Sequence, residues 1–242
     1  MRDMKIKLFV FKVLFCCLLA SSCEKETLTF NKGDLRIDLQ TGDHWLHDYP
    51  LFLGLKKKNP PQFAIWLEDT DGNYVSTLFV TYKIATEGWV GNNDNRRKEA
   101  LPDWCHQRGV IYDDGLLLPT KDEPLVDGIT GATPKENKSL QARLNDFSEP
   151  LIVKAEFNHS VDFNSFFPEN AEEGTSNYSG GSEGSGQPAV VYSAIIHPGD
   201  TSVELRLIGY SSPDGSDGNI RTDLTKLTTA KSIVKEITVQ RL

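Results

Sequence analysis

Cysteine is scarce in this 242-residue chain, and the four present suit no disulfide framework. Cys16 and Cys17 lie in an N-terminal apolar run and Cys23 closes it, so Cys105 stands alone in the body of the chain. That excludes a disulfide scaffold and a cysteine-ligated metal centre. Basic residues are also few: 26 Lys and Arg against 34 Asp and Glu give a formal charge of −8. Nucleic-acid binding rests on neutralising phosphates, so a nucleic-acid partner is excluded, and no basic patch for anionic headgroups is expected. Helical periodicity is scarce. No Gly-x-Ser-x-Gly elbow between strand and helix is read, nor any His-Glu-x-x-His or paired carboxylates at a telling spacing. The chain is not expected to be an enzyme in its own right, although a site built from scattered loop residues leaves no such trace.

The clearest segment present is "MRDMKIKLFVFKVLFCCLLASSCEKE". A basic start, an apolar stretch short for a bilayer span and then small residues describe a secretory signal. With Cys23 directly after Ala20-Ser21-Ser22, residues 1–22 resemble a bacterial lipoprotein signal peptide, which implies lipidation of Cys23. Ala20 stands where Leu is commoner. The expected location is the cell envelope, lipid-anchored, periplasmic or at the outer membrane or cell surface, with residues 23–34 as a polar tether. Removing the four basic residues and one acid of segment 1–22 takes the formal charge from −8 to −11.

From residue 35 to 242 the chain reads as one β-rich domain. "FAIWLEDTDGNYVSTLFVTYK" holds two β-prone runs split by Asp71-Gly72, a strong hairpin signal. Phe63, Ile65 and Leu67 share one face, and the second arm reads as at least partly covered on both faces. Further strands are expected at "LRIDL", "SLQARLN", "PLIVKAEFN", "PAVVYSAIIH", "SVELRLIGYS" and "SIVKEITVQ". Eight or so strands with turn-rich spacers give an all-β fold: a β-sandwich, immunoglobulin-like or related, with long polar loops. "NDNRRKEALPDWCHQRG" allows a short helical turn before Pro102. The stretch "FNSFFPENAEEGTSNYSGGSEGSGQP" is too polar to bury a core and is expected to be mobile.

Several residues invite chemistry and are explained without it. Cys105 reads as a buried, inert thiol, with His106 on the opposite face of a strand. His44 and His47 have no third ligand in sequence. Asp214, Asp217 and Asn219 carry hard oxygens, but their spacing is not that of a calcium loop and turn chemistry explains them. No metal is expected. Trp45, Trp66, Trp89 and Trp104 are read first as core.

The run "VDGITGATPK" stands apart. Together with "FAIWLEDTDGNYVSTLFV", "LPDW", "GQPAVVYSAII" and "LTTAKSIVKEITVQ", it makes roughly residues 50 to 240 resemble domain-of-unknown-function family 2271, exported β-rich proteins found beside membrane reductases and flavin-handling genes. Within it, "DGITGAT" is similar to the motif at which bacterial flavin transferases attach FMN to exported electron carriers. That resemblance implies covalent FMN on Thr133, with Asp127, Thr130, Gly131 and Ala132 completing the motif. Gly131 and Ala132 would leave room for the transferase, and Asp127 and Thr130 would shape the turn. Pro134 departs from the usual Ser or Thr, and no other part of the usual FMN-binding domain is present. Two functions stand on this reading. One is an electron-transfer lipoprotein whose partners are a flavin transferase and a membrane redox protein. The other is a non-catalytic envelope binding or accessory β-sandwich, in which "DGITGATP" is a structural loop with Thr133 hydrogen-bonded to backbone.

Overall fold

The computed structural model describes residues 28–29, 35–89, 96–126, 128–144 and 148–242. The signal segment, Cys23 and Asp127 lie outside the described residues. Among the described residues no helix is long and apolar enough to cross a membrane.

The strands are β1 (Leu28–Thr29), β2 (Leu35–Thr41), β3 (His47–Pro50), β4 (Lys56–Asn59), β5 (Gln62–Glu68), β6 (Tyr74–Thr81), β7 (Thr130–Gly131), β8 (Lys138–Ala142), β9 (Leu151–Asn158), β10 (Val190–Ile196), β11 (Ser202–Glu204), β12 (Arg206–Tyr210) and β13 (Val234–Arg241). The helices are one turn, α1 (Tyr82–Ala85), and α2 (Pro102–Arg108). A five-stranded sheet runs β1-β8-β2-β13-β11 and a six-stranded sheet runs β12-β10-β9-β5-β6-β7, while among the described residues β3 and β4 pair only with each other. The fold is all-β, a sandwich of these two sheets, with more strands than the sequence suggested.

Alternation explains the core. Leu35, Ile37 and Leu39 of β2 and Ile237 and Val239 of β13 share one apolar cluster with Phe63, Ile65 and Leu67 of β5 and Val153, Ala155 and Phe157 of β9. Phe63 stacks on Phe79 and Phe157 at 5.1 and 5.0 Å between ring centres. The expected hairpin forms between β5 and β6: Asp69 Oδ1 accepts from the amides of Asp71 and Asn73, and Gly72 takes φ 84°, which glycine adopts without strain. Every residue of β5 is buried, because a second layer covers the outer face. There Trp66, Val80, Ile84, Leu101, Trp104 and Leu125 form a second apolar cluster.

Four expectations are corrected. The helix begins at Pro102 instead of ending before it, since Pro at the first helical position forfeits no internal hydrogen bond; Gly109 closes it at φ 64°. Cys105 and His106 therefore sit on a helix, with Cys105 buried as expected and its thiol pushed well up by that burial. "SVELRLIGYS" is two strands, because buried Leu205 marks a crossing from one sheet to the other. The polar loop from Phe163 to Pro188 is packed: Phe167 is fully buried, and Asn164 Oδ1 accepts from the amides of Phe166 and Phe167. Gln187 donates to Asp162 and accepts from the Thr228 amide. Backbone turns, among them Ser185 N–H to the Ser179 carbonyl and Gln187 N–H to the Asp162 carbonyl, and the Asn164 side chain satisfy that loop's backbone, so low hydrophobicity does not leave it unstructured.

Candidate functional site

The "TGATP" segment is an edge strand and its exit, not a turn. Residues 130–131 pair parallel to β6, Val80 with Thr130 and Thr81 with Gly131, and the Val80 amide donates to the Ile129 carbonyl at 2.9 Å. Backbone pairing thus places Thr130. Just upstream, a Cβ on Gly128 would come within 2.9 Å of Thr77 Cγ2, so a residue without a side chain is required there. Downstream the chain crosses to the other sheet as β8. Trp45 Nε1 pins that crossing by donating to the Pro134 carbonyl at 2.9 Å, and Asn137 Oδ1 accepts from the Thr41 amide at 2.8 Å.

Between these anchors Ala132 is exposed and Thr133 half-buried. The Thr133 hydroxyl accepts a long hydrogen bond, 3.4 Å, from Gln62 Nε2, so its partner is a side-chain amide and not the backbone carbonyl or amide expected of a structural loop. Gln62 opens β5 and is buried, and its Oε1 has no hydrogen-bond partner among the described residues. A buried, unpaired amide oxygen carries a desolvation cost that a donor group would remove.

Gln62 also lines a cleft with His47, Tyr49, Lys83, Trp89 and His159. The enclosed space is about 20 Å³, enough for roughly one water. Lys83 is half-buried there, and burial first, then Lys57 and Arg97, hold its pKa below the usual lysine value. Arg97 lies 4.9 Å and Lys83 5.7 Å from the Trp89 ring centre. His159 is buried, its pKa pushed down to about 3 by that burial, so it is neutral at ordinary pH and donates from Nε2 to the His44 carbonyl at 2.9 Å. His47 packs 5.3 Å from His159, ring to ring, and 3.7 Å from Asp162 Oδ1. The His44 ring is engaged by Ser232 and the His47 ring by Asp162 and the Val161 carbonyl, and no group of metal-ligating residues is found among the described residues. Of the four tryptophans, Trp45, Trp66 and Trp104 are core as expected; Trp89 alone is half-buried and reaches the cleft.

Nucleophile chemistry has little to stand on. Against the expectation from sequence, Gly180-Gly181-Ser182-Glu183-Gly184 does have Gly-x-Ser-x-Gly spacing. Residues 181–183 form a 3-10 turn within the polar loop, without the strand and helix that make a nucleophile elbow. Ser232 Oγ lies 2.7 Å from His44 Nδ1 and also 3.1 Å from the Thr229 carbonyl, which competes for its single proton. Asp214 and Asp217 are engaged by Ser212, Ser216 and Arg221, the turn chemistry expected of them.

Perturbed carboxylates do occur on the outer face of the six-stranded sheet. Burial, then the neighbouring Asp103, pushes Glu156 up to about 8, although the amides of Asp103 and Trp104 donate to it and pull the other way. Burial raises Asp103 to about 6 against the attraction of Lys154. Lys154 bridges Glu68 at 3.0 Å and Asp103 at 3.5 Å, and Trp66 Nε1 donates to Glu68 at 2.8 Å. Asp103 and Glu156 are fully enclosed, so this network docks α2 on the sheet and meets no substrate.

Comparison with protein-family models, with curated proteins and with solved structures finds no match to this chain.

Proposed function

We propose that this chain is an exported, lipid-anchored electron carrier in which Thr133 bears FMN through a phosphodiester, serving a membrane redox partner. The observation that carries the reading is the setting of Thr133: a half-buried threonine at a sheet edge beside exposed Ala132, its hydroxyl held, among the described residues, by one long hydrogen bond from Gln62. A transferase needs backbone access and a hydroxyl that is cheap to free, and this edge offers both. Attachment forms a bond from Thr133 Oγ1 to the FMN phosphorus, the hydroxyl proton leaves, and the phosphoanhydride of a flavin dinucleotide donor breaks with loss of its nucleotide half.

The residues present fit the attached group in part. Gln62 Nε2 would face the ester and Gln62 Oε1, unpartnered, would accept from a ribityl hydroxyl. Lys83 offers positive charge to a phosphodiester, and Trp89 an aromatic edge. The enclosed space holds a water and not an isoalloxazine ring, so the ring would lie across the mouth of the cleft, open to a partner. When bound, FMN supplies the redox chemistry while the protein positions it.

The test is intact mass and visible absorbance of the protein co-expressed with a flavin transferase, with Thr133→Ala, Thr133→Ser and Thr130→Ala alongside. One added FMN and yellow colour, kept by Thr133→Ser and Thr130→Ala but lost in Thr133→Ala, is the expected result. A colourless, unmodified wild type sinks the reading and leaves the envelope-accessory sandwich standing.

A further inference from the structure

The β3–β4 hairpin belongs to neither large sheet, and its tip carries side chains that folding does not use. The segment reads "YPLFLGLKKKN". Leu51, Leu53 and Leu55 are 42%, 89% and 58% exposed. The Leu51 amide donates to the Leu55 carbonyl at 2.7 Å, closing the loop so that its apolar residues sit at the turn. Leu53 takes φ 57°, a left-handed conformation in which a leucine is strained and where glycine or asparagine is the usual choice. The loop therefore bears both the strain of that backbone and, at Leu53, an apolar side chain almost wholly in water.

Immediately after the tip, Lys56, Lys57 and Lys58 are all exposed. Strand pairing sets Lys58 opposite Asp48, which it bridges at 2.7 Å, so one of the three charges is answered within the hairpin. Lys56 stands opposite Pro50 and Lys57 opposite Tyr49. A chain of formal charge −8 thus carries a compact basic collar behind an exposed leucine tip. The overall composition hides this patch completely.

We propose that the hairpin tip is a membrane-insertion loop for anionic phospholipid bilayers: Leu51, Leu53 and Leu55 enter the acyl region, and Lys56 and Lys57 pair with headgroup phosphates. Apolar side chains gain by leaving water for hydrocarbon, and lysines at the headgroup level gain from a negative surface. The sign of the rest of the molecule adds orientation, since the same surface repels the acidic remainder and leaves the basic tip facing it. A partner protein would need an acidic rim around a leucine-sized groove; a bilayer supplies the same chemistry with no shape to match, which suits a short tip with no concave surface. This inference does not rest on the flavin: none of Leu51, Leu53, Leu55, Lys56 and Lys57 lines the cleft, although Lys57 acts on Lys83 there through its charge.

The experiment uses the full chain with Leu53→Trp as an added fluorophore over the native tryptophans, three of which are buried. Vesicles of phosphatidylcholine, with and without phosphatidylglycerol, carry brominated acyl chains as depth quenchers. Expected are a blue shift and quenching of the added emission only when phosphatidylglycerol is present. In co-sedimentation, Leu53→Asp should bind those vesicles at least about tenfold more weakly than wild type, and Lys56→Glu with Lys57→Glu by about the same factor. Unchanged near-UV circular dichroism keeps these readouts separate from misfolding, and comparison at a constant N-terminus removes any contribution from residues 1–34. Added emission that stays solvent-like with both vesicles, or quenching indifferent to phosphatidylglycerol, overturns the assignment. Wild-type and Leu53→Asp chains that sediment equally overturn it as well.

Discussion

At its central strands, β5 and β9, the six-stranded sheet is buried on both faces, but by different chemistry. The inner face, toward the other sheet, is apolar: Phe63, Phe79 and Phe157 stack there, with Val153 and Val190 around them. The outer face, under α2, seats Trp66 and Trp104 beside Glu68, Asp103, Lys154 and Glu156. The same strand supplies both: in β9, Val153, Ala155 and Phe157 face inward while Lys154 and Glu156 face outward. Alternation along a strand fixes which residues share a face, but what covers that face decides whether a charge can live on it. The inner face depends on shape and is indifferent to pH. The outer face depends on charge pairing and must answer to pH.

The largest effect that would sharpen this contrast is on the inner face. Phe157 is fully buried between Phe63, Trp45 and Tyr192, and Phe157→Ala leaves a void that two packed sheets cannot collapse into. A loss of about 3–5 kcal/mol is expected in denaturant unfolding, equal at pH 6 and pH 8. A loss that changed with pH would show that the two faces are not separable.

On the outer face Lys154→Met is the matching perturbation. It removes the partner of Glu68 and Asp103, two buried carboxylates, and about 3 kcal/mol should be lost at pH 8. Asp103, already raised to about 6, answers by taking up a proton, so the loss shrinks toward pH 5. Adding Glu68→Gln and Asp103→Asn to Lys154→Met should recover most of the stability at pH 8. If the single variant is as stable as wild type, the ion pairs are ornament and α2 docks by its tryptophan alone.

The inner face was legible in sequence, because alternation in "FAIWL" and "LRIDL" and the Asp-Gly turn are local signals. Of the outer layer only its partial cover on the second arm of the hairpin was legible, not what supplies it. Its helix starts at a proline, and the Glu156 side chain that receives the α2 amides is more than fifty residues away along the chain. The polar loop was misread for the same reason: its order comes from Gln187, Asp162 and Asn164, each satisfying backbone or side chains at a distance. Thr133 could be named from its motif, whereas Gln62, its hydrogen-bond partner, lies 71 residues upstream with nothing local to mark it. The hairpin tip was different. Leu51, Leu53, Leu55 and three successive lysines are a visible pattern, passed over because overall acidity argued against any basic patch.

The smallest predicted effect is also the most specific to the outer face. Glu156 titrates near 4.5 when unfolded and is pushed up to about 8 in the fold. Between those values the folded protein holds a proton that the unfolded chain has released, so stability falls as pH rises through that window and levels off above it. Asp103 acts in the same direction only up to about 6. His159 opposes both: its pKa drops from 6.5 to about 3 on folding, so the unfolded chain binds the extra proton and stability rises with pH until about 6.5. Of these three groups, Glu156 alone still titrates between pH 6.5 and 8. Wild type should lose stability across that interval, by at most about 1.4 kcal/mol per pH unit. Glu156→Gln cannot ionise and should show a flat profile there, from a lower starting point, because its NH₂ group must face one of the two α2 amides that the carboxylate now accepts from. A wild-type profile as flat as that of Glu156→Gln would mean that the helix amides win over burial and keep the carboxylate ionised. The outer face would then be charged throughout, and pH would no longer distinguish it from the inner one.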